Sequence, residues 1–303
     1  MTTNISNDSD TSVSSVSEDS LVTSRGPRTH LLSTVLKHLL LILVGILMIY
    51  PLLWMVAGSF KPNDLIFLSP GLIPEGFTPE HYANGWEGLT YPFGLYIFNS
   101  AVIVLGTLIG NLVSCTMAAY AFARLQFRSK PILFSAMLLT LMLPIHVLIV
   151  PQYIMFSEIG WVNTFLPLIV PKFLAVDSFF VFLMVQFFRG IPKELEEAAR
   201  IDGAGYWRTF IQVMLPLTVP ALATTAIFTF IWTWNDFYSQ LVFLTKPQTQ
   251  TVPVALRNFV DATSESNWGA LFAMSVITLV PLFIVFLVGQ RFLVKGVATT
   301  GLK

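Results

Sequence analysis

The sequence predicts an all-α integral membrane protein with six transmembrane helices and both termini cytoplasmic. Three observations carry this. Charged residues are 11% of the 303, against roughly 25% in a soluble chain, and hydrophobic residues reach 54% with a mean hydropathy of +0.71. Seventeen acidic and 17 basic side chains are too few to clothe a soluble 33.8 kDa globule. Uncharged apolar runs long enough to cross a bilayer recur along the chain, where about 20 helical residues are needed. The basic residues fall mostly in alternate connecting segments.

Residues 1–29 are rich in Ser, Thr, Asp and Asn and nearly free of large apolar side chains. Such a stretch cannot bury enough surface to offset its ordering entropy and reads as a disordered cytoplasmic tail. It lacks the basic start and short apolar core of a signal peptide. The spans then follow as Leu39–Gly58, Ile97–Ala123, Pro131–Phe156, Asn163–Phe188, Leu215–Trp234 and Trp268–Gln290. The third carries only His146, which between apolar neighbours reads as a satisfied core histidine. The fourth holds Pro167, Pro171, Lys172 and Asp177, with its regular helix expected from near Pro171. All six are too long for strands and lack the period-2 alternation of a membrane barrel, so helices are the remaining way to satisfy the backbone in lipid.

With the N-terminus inside, 13 Lys and Arg lie on inner segments and only Lys61, Lys172, Lys246 and Arg257 on outer ones, as the positive-inside rule requires. The first outer loop, Ser59–Tyr96, and the third, Asp236–Asn267, are long enough to be functional or to be plain solvated connectors.

Several classes are excluded. Zero net charge argues against a nucleic-acid binder. Cys115 is the only cysteine and the four His are far apart, so an intrachain disulfide or a Cys/His metal site does not arise. There is no GxxxxGK[ST], so the chain carries no Walker A phosphate-binding loop. A membrane-embedded enzyme would need clustered His and acidic residues, and none appears.

The segment 189–214 between spans four and five carries the most information. Pro192 suits the first turn of a helix, and Glu194, Glu196 and Glu197 follow where the dipole favours anions. Leu195, Ala198 and Ala199 fall at helical spacing. Gly203 and Gly205 allow a stop and a turn. Trp207, Phe210, Ile211 and Met214 form a second apolar stripe, and Pro216 bends the chain into span five. Two readings stand: interfacial helices on lipid headgroups, or a docking surface for a cytoplasmic protein.

Glu197-Ala198-Ala199, three residues, Gly203, nine residues, then Val213-Met214-Leu215-Pro216 resembles the EAA loop of ATP-binding cassette importer permeases, with Val213 for Ile the one departure. Asp202 and Arg200 fit beside it. Tyr50-Pro-Leu-Leu-Trp, Ser59-Phe-Lys-Pro, Asn99-Ser, Trp234-Asn-Asp-Phe and Gln290-Arg-Phe-Leu-Val-Lys-Gly are similar to the carbohydrate-uptake, MalG-like branch of that family. The resemblance covers about residues 35–303. Family members usually end in Lys-Gly, whereas this chain stops at Lys303.

The resemblance implies a non-enzymatic permease domain over residues 30–303, in a prokaryotic cell membrane. Its implied partners are a second homologous permease, two ATPase subunits that hold ATP and Mg, an extracytoplasmic solute-binding protein, and membrane lipid. The implied cargo is a sugar or oligosaccharide moved by alternating access, and this chain would bind no cofactor itself. The implied ATPase-coupling residues are Glu194, Glu197, Ala198, Ala199, Arg200, Asp202, Gly203, Trp207, Leu215 and Pro216. Glu197 can take charge-assisted hydrogen bonds from a partner's Arg or Lys. The tail Lys295–Lys303 is implied to reach the ATPases too.

Ionisable and amide side chains at span depth are expected along a substrate path. Asn99, Lys172, Asp177, Trp232, Trp234, Asn235 and Asp236 are the candidates, with Asn111 beside them. An interhelical contact for Lys172 and Asp177, and an interface anchor for each Trp, are the other readings. Lys172 and Asp177, five apart, are out of register as an intrahelical pair, and Lys172 is expected to snorkel near the outer interface. A glycerol-phosphate-type importer would call for several basic residues in the path, and only Lys172 is offered. A self-sufficient channel or secondary transporter would require a charge relay, and no internal repeat suggests one.

Overall fold

The computed structural model describes residues 27–260 and 266–300, with side chains over 33–260 and 266–292. Most of the predicted tail, 1–26, lies outside the described residues, as do the side chains of the predicted 295–303 contact. No strand occurs among the described residues.

The chain separates into two compact units at Leu52. The first is the apolar helix α1, Pro27–Gly58, up to that point, beginning three residues inside the predicted tail. Its side chains from Leu39 to Leu43 are exposed, which in a bilayer means available to lipid.

The second unit runs on through α2 (Glu80–Glu87), α3 (Phe93–Arg124), α4 (Lys130–Thr140), α5 (Ile145–Glu158), α6 (Leu166–Ile169) and α7 (Ser178–Gly190). It continues with α8 (Glu194–Ile201), α9 (Tyr206–Thr209), α10 (Leu215–Leu217), α11 (Val219–Trp234), α12 (Tyr238–Phe243), α13 (Val252–Arg257) and α14 (Trp268–Thr300). Among the described residues, four stretches are long and apolar enough to cross a membrane unaided, and two bent pairs bring the number to six if each pair is one span.

The bends correct the expectation of simple spans. The predicted third span is α4 and α5 meeting at 103°. Pro144 stands just before α5, and a proline pushes its preceding residue out of the helical region. The fourth is interrupted within one apolar stretch: α6 passes into a 3₁₀ turn, Val170–Leu174, Ala175 is left-handed at φ 54°, and regular helix resumes only at Ser178. The expected start near Pro171 is therefore corrected by seven residues. The approach to the fifth, Tyr206–Leu217, meets α11 at 75°, with Pro216 and Pro220 flanking the turn.

Helix α3 supplies residues to all three buried clusters. Toward its C-terminal half Cys115, Ala119 and Tyr120 pack with Phe180, Met184 and Phe188 of α7. Toward its start Phe93, Tyr96 and Val104 meet Trp234, Val252, Ala270 and Met274. Gly106, Gly110, Ser114 and Ala118 repeat every fourth residue, the spacing that lets membrane helices approach closely. Against this stripe lies the broken segment 166–175. A Cβ on Gly110 would stand 3.0 Å from the backbone and Cβ of Lys172. Ser114 Oγ donates to the Lys172 carbonyl at 2.7 Å and accepts from Ala175 N–H at 3.1 Å. It thus pairs backbone groups that the break leaves without helical partners, which lipid would not satisfy.

The described connections between the apolar stretches make specific contacts. Lys61, expected in an outer loop, is 1% exposed, and its Nζ donates to the carbonyls of Ser69 and Gly71, each at 2.5 Å. Asn99 Nδ2 donates to the carbonyls of Gln248 and Gln250 at 3.0 and 2.7 Å, and Ser100 Oγ accepts from Val252 N–H at 3.0 Å. The start and the middle of α3's polar face are therefore committed to holding other segments.

Replacing Gly110 with Val should displace the 170–175 segment and remove about 1–3 kcal/mol of stability by overpacking. It should lower the thermal unfolding temperature of the detergent-purified protein, while Val113→Leu on the exposed face of the same helix leaves it unchanged.

Candidate functional site

Two places gather functional side chains. The first is the segment 189–214. Three glutamates in the first turn of α8 favour its N-terminus. Its end is a Schellman turn: Gly203 N–H donates to Arg200 O at 3.0 Å and Ala204 N–H to Ala199 O at 2.9 Å. Gly203 has φ 78° with open space around its Cα, so the glycine is required by backbone angle and not by crowding. Across this turn the Arg200 guanidinium sits 5.2 Å from the Tyr206 ring.

The predicted faces are divided differently from expectation. Glu194, Glu197, Ala198, Asp202 and Trp207 are exposed, with Leu195 and Ile211 also outward. Phe210 and Met214 instead turn into the core, so the second stripe is split between two faces. The chain there is wound as a π-helix, Phe210–Met214, before α10, which carries half-buried Leu215 and exposed Pro216. A groove of about 620 Å³ opens beside it, lined by Tyr120, Arg124, Arg200, Tyr206 and Trp207 among others.

Sequence reasoning missed the inward partner of this segment. Glu196 is 6% exposed, and its Oε1 lies 3.0 Å from Arg124 Nε at the end of α3. The contact is an ion pair by distance without the alignment of a hydrogen bond. Arg124 Nη2 also donates to Phe188 O at 2.6 Å and to Ile191 O. The readable signal was angular: Glu194 and Glu197 share one helix face, and Glu196 points away from both.

The second place is a cavity of about 1080 Å³ walled by α3, α5, the broken segment 166–177 and α11. It brings together Lys172, Asp177, Trp232, Asn235 and Asp236 from the predicted set. The break corrects the expectation about the first two. Because the chain turns at Ala175, Lys172 Nζ reaches Asp177 Oδ1 and Oδ2 at 2.8 and 2.9 Å, which a continuous helix would not allow. Lys172 is thus paired rather than snorkelling. Asn111 Nδ2 donates to Asp177 Oδ2 at 2.6 Å and to Thr229 Oγ1 at 3.3 Å. Trp232, about half exposed, rests against Phe179, Phe180 and Phe228 with its surface to the cavity. Asp236 Oδ1 accepts from Ser239 N–H at 3.1 Å. Burial pushes its carboxyl above the usual range, and that hydrogen bond opposes the shift.

Two predicted members are elsewhere. Asn99 is buried on the loop carbonyls described above. Trp234 is buried, stacked on Phe230, with Nε1 donating to Thr278 O at 3.3 Å. His146 is exposed rather than a core residue, its ring centroid 4.6 Å from that of Tyr238 in an edge-on contact.

Residues 110–299 match the family described as binding-protein-dependent transport system inner membrane component. The chain belongs to this family. It is a membrane permease, as the EAA-type spacing at 197–216 implied. The chain is 35% identical over 257 residues to the diacetylchitobiose uptake system permease protein NgcG of Streptomyces coelicolor, covering 84% of each. It is 34% identical over 273 residues to the trehalose/maltose transport system permease protein MalG of Thermococcus litoralis, covering 89% of this permease and 98% of that one. Its fold is that of a chain in a bacterial ABC transporter for import of the acidic polysaccharide alginate, with TM-score 0.76 and 21% identity over 88% and 99% of the two chains.

A single Lys172→Met or Asp177→Asn substitution leaves one charge without its partner. Each should destabilise the permease by about 1–3 kcal/mol, below the fully buried range because both groups are partly wetted. The double variant should recover most of that loss in a thermal-unfolding comparison.

Proposed function

We propose that this permease translocates an uncharged sugar or oligosaccharide, with a second permease, two ATPase subunits that bind ATP and Mg, and an external solute-binding protein. The observation that carries the reading is the 189–214 segment. It pairs an outward face of Glu194, Glu197, Ala198 and Trp207 with a Schellman turn at Gly203. The exposed carboxylates of Glu194 and Glu197 can take charge-assisted hydrogen bonds from Arg or Lys of an ATPase, which supports docking over a segment lying on headgroups. This segment and both termini then lie on the cytoplasmic side, in keeping with the Lys and Arg distribution.

The cavity supports an uncharged cargo. Lys172, its basic residue, is already committed to Asp177, and amides with an exposed Trp232 face offer the hydrogen bonds and stacking that sugars use. A phosphorylated cargo would need a free cation there. The names of the two relatives, for diacetylchitobiose and for trehalose/maltose, point the same way.

Purification of the tagged chain in mild detergent should yield one second permease and two ATPase copies. A lone chain or homodimer, with the ATPases coexpressed, would overturn the docking reading. In the inserted complex Gly203→Val forces a β-branched residue to positive φ, at a cost of about 1–2 kcal/mol per residue. It should uncouple ATP hydrolysis from uptake, while Gly203→Asn, which tolerates that conformation, retains coupling. Normal uptake by the valine variant would count against the turn's role.

A further inference from the structure

We infer that Arg124 and Glu196 are positioning residues: together they form the joint that makes α8 move as one body with α3 and α7. The inference rests on the reading of 189–214 as the ATPase dock. A docking helix pulled by a partner transmits force only if it cannot swing on its own connections. Here neither covalent connection continues the helix. On one side α8 joins α7 through exposed Gly190, extended Ile191 and Pro192. On the other it ends at Gly203 and Gly205. Stiffness must therefore come from a non-covalent brace.

Arg124 supplies it from the last residue of α3. One guanidinium faces Glu196 of α8 at 3.0 Å and holds the carbonyls of Phe188 in α7 and of Ile191 in the connection. The two side chains are 4% and 7% exposed, so salt screens the pair little. One turn earlier on α3, the Tyr120 ring packs on Phe188 at 5.7 Å and on Phe210 at 4.9 Å. The second half of the loop is thereby fixed to the same helix. The adjacent glutamates divide the work: Glu197 faces outward for the partner, and Glu196 faces inward to the joint.

The test uses the whole complex in lipid nanodiscs. Nitroxide labels on Lys193→Cys, beside α8, and Val113→Cys, on the exposed face of α3, report their separation by pulsed electron resonance. Buried Cys115 is replaced by Ala, and the nucleotide-free and ATP–vanadate-trapped states are compared. With Arg124 and Glu196 intact, the distribution should stay narrow and unchanged on trapping. In isosteric Glu196→Gln, and in Arg124→Gln, trapping should widen it about twofold, and the double variant should be no worse than the worse single one, as for residues acting as a unit. Should Arg124→Gln fail to accumulate, Glu196→Gln decides alone.

An α8–α3 separation that shifts on trapping in the protein with both residues intact would overturn the joint. So would variants that stay narrow, or that are broadened equally with and without nucleotide, since that is a resting-fold role only. Absence of ATPase subunits from the intact complex would instead remove the docking reading beneath it.

Discussion

In a bilayer an interrupted helix must find partners for its freed peptide groups within the protein, and most of this architecture follows from that constraint. The segment 166–177 breaks in the middle of an apolar stretch. It is tolerated because α3 presents a small-residue stripe for close approach and Ser114 to bond the exposed peptide groups. Asn111, one turn away on the same face, holds Asp177. The cavity and its ion pair exist because of this accommodation. A continuous fourth helix would carry Lys172 and Asp177 on different faces and would fill part of the space.

Helix α3 is accordingly much more than a span. Its start ties down the 247–252 connection through Asn99 and Ser100, its middle seats the broken segment, and its end holds α8. Polar residues that look like a water-facing path in one dimension turn out to be fasteners in three. Asn99 and Trp234 are such cases, each consumed by a backbone carbonyl.

Helical class, membrane location and the 197–216 motif were legible because they depend on local quantities: hydropathy over about 20 residues, and fixed spacing around Gly203. The Schellman turn occurs where the glycine signals it. The bends at Leu141–Pro144 and Val170–Ala175 were not legible, since hydropathy is blind to direction and a proline marks a boundary without giving its angle. The Lys172–Asp177 pair was judged out of register because a regular helix was assumed, and Arg124–Glu196 spans 72 residues that no periodicity connects. His146 misled for a related reason: apolar neighbours in a membrane sequence signify lipid or a partner as readily as a core.

Cys115 lies at 0% exposure in the packing between α3 and α7. A thiol sealed in this way is closed to oxidants and alkylating reagents while the helices remain together. The chain consequently carries a built-in chemical clock. The rate at which a small maleimide consumes its single sulfur measures how often that helical seam breathes open, with no competing site on the same chain to subtract.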